Sequence, residues 1–272
     1  MSLSAGENAR FTIKPGMCWF FPQGALHSVV NISDEKSVMV LGFSQSTHKT
    51  VDLPVAFNGI PVPIRAAYTN SHSELLKWKG VIFNPVFAKS PIRSSEDIAS
   101  PYRIKLSAIT PLFDDKNLGS VIVAVKDNWP IINKISFLRI ILKPNTARDP
   151  IWWPDVNVLY NVTRGSAQFL VITSGTEPRP FIVNKFDFIF IPMGELHTFS
   201  NLADEDFEIV AFFSKDNPQA EVSLLDATAF FPENIANYSL TKYAHCTKSC
   251  HGTPLKDLKH PKSTPYILRI NP

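Results

Sequence analysis

GMCWFFPQGALHSVVN, residues Gly16–Asn31, returns as FDFIFIPMGELHTFSN at Phe186–Asn201. Pro, Gly, Leu, His and Asn keep one register in both stretches, pairing Pro22 with Pro192, Gly24 with Gly194, Leu26 with Leu196, His27 with His197 and Asn31 with Asn201. A histidine held twice in the same frame suggests a ligand or catalytic position repeated in two domains. The rest of the sequence must then supply its partners.

The chain has 272 residues, 44% of them hydrophobic, enough for one large domain or two ordinary ones with real cores. Its net charge of +3 comes from 27 basic and 24 acidic residues spread along the chain. With no basic run and no interleaving of Arg with aromatics, no nucleic-acid partner is expected. Twenty-two prolines and twenty phenylalanines point to strands joined by turns, because Pro breaks helices and aromatic residues suit a pleated surface. The fold class is mainly β. No apolar run reaches the length of a membrane span, and MSLSAGENARF lacks the basic start and apolar core of a signal peptide, so no membrane association is expected. Cys18, Cys246 and Cys250 are too few and too unevenly placed for a disulfide framework, which makes a reducing, cytoplasmic setting the default expectation.

MCWFFP, SVVNI and SVMVLGF are short β-rich runs separated by turn residues, and they mark residues 1–48 as half of a barrel. From 49 to 101 the text turns Pro-punctuated and helix-compatible, a connector with Ser71 or Ser73 as N-cap before Glu74. Residues 102–240 read as a whole β-barrel through GSVIVAV, ISFLRIIL, NVLYNVT, AQFLVIT, FDFIFIP and FEIVAFF, with a trailing helix over Ala220–Leu240. Residues 241–272 read as a tail lying over the surface or partly disordered. The two copies of the motif are therefore unequally supported: the second has a long β-rich stretch before it, and the first has only the residues ahead of Gly16.

GxxxxxPxGxxHxxxN is matched in full by Gly16, Pro22, Gly24, His27 and Asn31, and at every position but the first by the second copy, where Phe186 replaces Gly. This pattern resembles the second sequence motif of the cupin superfamily. Its duplication, the helical connector and the stretch AEVSLLDATAFFPENIANYSL are similar to the bicupins of the oxalate decarboxylase and germin group. The resemblance implies jelly-roll (double-stranded β-helix) barrels, with the N-terminal one incomplete here. It also implies a manganese ion in each barrel, on three His and one Glu, with an earlier HxHxxxxE motif supplying the other three ligands.

In PIWWPDVNVLYNVTRG, similar to the family's PHWHPxxxEWxYxxxG, Ile151 and Trp153 fall at the two His positions and Val158 at the Glu position. Only His197 survives, so this barrel is expected to hold no metal. Alternation along a strand makes Ile151 and Trp153 the inward pair, plugging the metal cavity. Arg148 falls where the family places an arginine facing a bound carboxylate; turned inward it would be a buried cation needing an anionic partner, such as a small anionic ligand. A surface arginine in PNTARDP is the simpler reading. Ala211 stands at the position of the family's acid/base Glu. No His precedes Gly16, so His27 is an orphan too, and SQSTHKTVDLP, with His48 and Asp52, lacks the Ser-Glu-Asn-Ser lid of the decarboxylases.

Arg148, His197 and Trp153 are the candidate binding residues, Trp153 as an aromatic that can stack a ring-bearing ligand, and the plainer readings are a barrel histidine bonded to a carbonyl or water for His27 and His197 and a core aromatic for Trp153. HCTKSCH, from His245 to His251, invites a zinc site, but its spacing suits one tetrahedral ion poorly. The reading that follows is a catalytically degenerate bicupin, without a cofactor, that binds a small molecule or acts structurally. The alternative is a truncated manganese-dependent oxalate decarboxylase or oxidase with its site in the N-terminal barrel. Homo-oligomerisation is expected in either case, because an opened barrel exposes strand edges.

Overall fold

The computed structural model describes residues 9–47, 51–52, 59–69, 98–219, 221–224 and 267–269, with the single positions 56, 227 and 232. The chain separates into two compact units, Ser28–Glu96 and a larger one made of Met1–His27 with Asp97–Pro272.

The larger unit is mainly β. Its barrel has a six-stranded and a seven-stranded antiparallel sheet. The first contains β3 (Phe113–Asp115), β4 (Gly119–Ala124), β5 (Ser136–Leu142), β8 (Val158–Arg164), β11 (Phe188–Ile191) and β13 (Phe207–Phe213), in the order β11-β8-β13-β5-β4-β3. The second contains β6 (Thr146–Arg148), β7 (Ile151–Trp152), β9 (Ser166–Ile172), β10 (Phe181–Asn184), β12 (Leu196–Asn201), β14 (Val222–Ser223) and β15 (Ile267–Arg269). Its main path is β10-β9-β12-β6-β15, while β7 pairs with both β12 and β14. A small separate sheet joins β1 (Met17–Trp19) to β2 (Arg103–Lys105).

Alternation in the sequence places the core. In β5, Ser136, Leu138, Ile140 and Leu142 are buried while Phe137, Arg139 and Ile141 between them are half-buried. On the neighbouring β13, Phe207, Ile209, Ala211 and Phe213 face the same interior. Each large apolar side chain buried there contributes about 1.5–3 kcal/mol. The turn from β8 to β9 needs a glycine: Gly165 has φ +72°, and a Cβ on it would sit 2.9 Å from the Asp206 carbonyl oxygen.

The repeated motif is a repeat of backbone geometry, bond for bond. Gly24 and Gly194 share a left-handed φ, +79° and +82°, and so do Gly16 and its non-glycine counterpart Phe186, both at +79°. Ala25 and Glu195 each donate to the proline three residues back, at 3.1 and 3.2 Å. The Asn31 and Asn201 amides donate to the carbonyls of Glu35 and Glu205, at 2.7 and 2.8 Å, and accept from the N–H two residues on. What differs is the surroundings. His197 and Asn201 are fully buried, whereas His27 and Asn31 are exposed.

Three expectations change. SVVNI and SVMVLGF were expected as strands, but residues 28–43 form none and expose Val29, Val30, Val38, Leu41 and Phe43. β-propensity makes a strand only where a neighbouring edge takes its hydrogen bonds. Among the described residues the smaller unit contains the helix α1 (Val62–Thr69), in the expected connector. Within the stretch expected as a helix from Ala220, Val222–Ser223 is a strand against β7, the described positions Leu224 and Ala227 after it are helical, and the tail contributes β15 against β6. Ser71, Ser73 and HCTKSCH lie outside the described residues, as does His48.

Fully buried Asn201 closes its turn with three hydrogen bonds, donating to the Leu142 and Glu205 carbonyls and accepting from the Ala203 N–H. Asn201→Ala should therefore lower the unfolding free energy by about 2–3 kcal/mol. The solvent-exposed Asn31→Ala should change it by less than about 0.5 kcal/mol, both read from urea unfolding.

Candidate functional site

His197 lies on β12 directly across from Ile151 of β7, so the two side chains share the inner face of the sheet. Ile151 is fully buried, Trp153 is buried, and Trp152 between them is half-buried. Trp153 packs its ring on Phe213 at 4.5 Å, and its carbonyl accepts from Gly194, which ties the first stretch to the second. Val158 opens β8 and pairs with Ile191 and Phe213. Two residues further on, again facing inward, stands Tyr160.

Both nitrogens of His197 are engaged. Nδ1 donates to the Glu195 carbonyl at 3.0 Å, which leaves Nε2 as the acceptor for the Tyr160 hydroxyl at 2.9 Å. The imidazole lies among aromatics, parallel to Phe169 at 6.1 Å, while Tyr160 meets Phe169 and Phe199 edge-on. Burial in this apolar cage pushes the His197 pKa down to about 4, and the Arg148 charge adds to the push against the Glu195 carbonyl. Burial, reinforced by the Glu221 carboxylate, holds the Tyr160 phenol well above its ordinary range. At neutral pH the pair is an uncharged phenol donating to an uncharged imidazole.

Arg148 is fully buried at the end of β6 and donates to Glu221, which precedes β14. This corrects the simpler reading of Arg148 as a surface residue of PNTARDP: it is turned inward, and its anionic partner lies within the chain. Beside it the Ser223 hydroxyl donates to buried Asp149. Ala211, fully buried on β13, stands across from Tyr160, so its small side chain leaves the volume to the phenol ring. His27 repeats only the local part of this arrangement: its Nδ1 donates to the Ala25 carbonyl at 2.9 Å and its ring stacks on Phe21 at 3.9 Å.

Tyr160 and Glu221 are the two members that sequence reasoning missed. The signal for Tyr160 was present: once Val158 faces inward, so does the residue two places on. Glu221 had none, since it meets Arg148 only through the closed fold.

A model of the cupin family matches residues 3–73 and 106–240, well over half of the chain. The chain belongs to the cupin family. An oxalate decarboxylase of Arthroderma benhamiae is 22% identical over 258 residues, covering 82% of this chain and 60% of that protein. The structure of Bacillus subtilis oxalate decarboxylase at pH 4.6 gives a TM-score of 0.65 at 21% identity, covering 84% of this cupin and 59% of that chain. The B. subtilis oxalate decarboxylase for whose Mn(II) centres EPR fine-structure parameters were assigned by site-directed mutagenesis and calculation gives 0.64 at 20% identity, with 82% and 58% covered. At such identities the structures establish the fold. The chain spans about three fifths of the length of these relatives.

A manganese ion of the kind those Mn(II) centres contain does not fit the residues of this barrel. Among the described residues no three His, Cys, Asp or Glu converge. The imidazole nitrogen that a metal would take is the one that accepts from Tyr160, and Ile151, Trp153 and Val158 offer no donor toward it.

The neutral, buried His197 makes stability depend on pH. The unfolded ring titrates near 6.5 and the folded one near 4, so between these values the unfolded chain binds more protons. Stability is full above about pH 6.5 and falls by up to about 3 kcal/mol as pH drops toward 4. Urea unfolding across this range should show the slope in the wild type and lose it in His197→Gln.

Proposed function

We propose that this cupin is a metal-free member of its family, and that its second barrel serves as a structural module rather than a catalyst. The observation that carries this reading is the Tyr160–His197 hydrogen bond, which engages the surviving metal-type nitrogen from within the barrel. Manganese binding would have to break that bond and desolvate the ion among Ile151, Trp153 and Val158, with one nitrogen in return. The absence of a carboxylate at Ala211 leaves no general acid or base beside Tyr160 on β13.

The Arg148–Glu221 pair bears on the small-anion reading. A buried arginine fork is suited to bind a carboxylate in two places at once. Here Glu221 supplies that carboxylate, and an external anion would have to displace it. The structural role is therefore favoured over binding of a small carboxylate at this position.

A second reading keeps oxalate decarboxylase or oxidase chemistry, with manganese, in the first barrel. It is favoured by one observation: the turn that presents His27 has the same hydrogen bonds as the turn that presents His197. It requires an HxHxxxxE motif ahead of residue 1.

Metal analysis of chain produced in manganese-supplemented medium, combined with an oxalate turnover assay, separates these readings. The proposal expects well below one manganese per chain and no oxalate consumption. Stoichiometric manganese that disappears in His197→Ala would overturn it for the second barrel. Manganese lost instead in His27→Ala, together with turnover, would favour the second reading.

A further inference from the structure

We infer that the side of β6 turned away from β12 is a peptide-binding edge: β15 of the chain's own tail is its exchangeable occupant, and extended segments of other proteins compete for it. This goes beyond the reading of the barrel as a structural module and does not depend on whether a metal is bound.

The strands β6 and β7 run in succession along β12, where Asn201 faces Thr146, Ser200 faces Ala147 and His197 faces Ile151. Their other side is covered by chain that follows the barrel, with β14 against β7 and β15 against β6. When β15 leaves, β6 keeps its pairs with β12, so exchange leaves the barrel intact.

The two covering strands are held differently. β14 is the next strand after β13 and is pinned along its length. Glu221 takes Arg148, Ser223 donates to Asp149, and the Leu224 N–H donates to the Pro150 carbonyl at 2.8 Å. β15 reaches β6 from the far side of residues 224–266 and meets it in three pairs, Ile267 with Arg148, Leu268 with Ala147 and Arg269 with Thr146. By contrast, β5 pairs with β13 along all seven of its residues.

The sequence keeps the β6–β15 ladder short on both strands. Pro144 and Pro150 flank β6, and Pro265 and Pro272 flank β15. A proline has no N–H to give, so neither strand can extend its pairing far. Asn145, just ahead of β6, turns out of the ladder in the left-handed region at φ 58°. So short a ladder holds weakly by itself, and β15 stays because it is tethered. A strand tethered to its site competes with free peptide at an effective concentration on the order of millimolar. A free extended peptide at comparable concentration therefore takes its place. Strand addition at a sheet edge draws affinity from main-chain hydrogen bonds and selectivity from alternate side chains. The partner that fits is an extended segment with the aliphatic, aliphatic, basic order of Ile267, Leu268 and Arg269, and with no proline among the three.

Fluorescence anisotropy of a labelled peptide, KSTPYILRINP, the sequence of residues 262–272, tests this on the full chain. Leu268→Pro removes the central N–H of β15 and leaves the barrel sequence untouched. The variant should bind the peptide about tenfold more tightly than the wild type, as when a tethered competitor at about 1 mM is removed from a site with a Kd of about 100 μM. The same peptide with proline in place of its leucine should bind neither. Amide exchange of the nitrogen-15-labelled wild type gives a second reading that needs no variant. Unlabelled peptide at about 1 mM should speed exchange of Ile267–Arg269 about fivefold and leave β12 unchanged. A variant with native near-ultraviolet circular dichroism that binds no more tightly than the wild type overturns the inference, as does equal binding of the proline peptide. Tail amides indifferent to peptide overturn it as well. Protection of those amides that is lost on diluting the chain also overturns it, since the occupant is then the tail of a second copy. Manganese content, on which the structural-module reading turns, enters none of these readouts.

Discussion

Nε2 of His197 lies in an apolar cage with one polar partner, the hydroxyl of Tyr160, and much of the second barrel is arranged around that bond. An imidazole nitrogen left unsatisfied among Phe169, Phe199 and Ile151 would cost on the order of 1–3 kcal/mol. Tyr160 removes that cost while its ring fills volume beside Ala211. The Glu195 carbonyl fixes the tautomer from the other side. The histidine inherited with the motif thus remains as a core residue, held by contacts that favour its neutral form.

The motif itself has two separable physical contents. Its Pro, Gly and Asn residues encode a tight turn, and that turn forms in both copies whether it is exposed or buried. Its histidine encodes a metal ligand only where other strands bring further donors to the same point. In the first copy the turn forms, yet residues 28–43 form no strand. In the second, the barrel is present and Ile151, Trp153 and Val158, which bring no metal-binding atom, are buried in it. Local geometry follows from a few residues, whereas a site requires convergence.

The same distinction explains what could be read from the sequence. The β class, the strands of the second barrel and the inward placement of Ile151 and Trp153 follow from alternation and from spacing to Gly165, which are short-range features. Tyr160 was legible by the same alternation once Val158 was placed. Glu221 and β15 were not, because each acquires its role from a partner distant in sequence: Arg148 for the one and β6 for the other. The runs SVVNI and SVMVLGF show the converse error, in which strong β-propensity was read without a partner edge to satisfy it.

The central claim is that Tyr160, not a metal, holds the Nε2 of His197. Nitrogen-15 spectroscopy of the imidazole rings at neutral pH, with and without added Mn²⁺, tests it most directly. The account predicts that His197 is neutral, protonated on Nδ1, with an Nε2 resonance shifted by a hydrogen bond that Tyr160→Phe removes and Mn²⁺ leaves sharp. Paramagnetic loss of the His197 signal at stoichiometric Mn²⁺, or a ring protonated on Nε2, would contradict it.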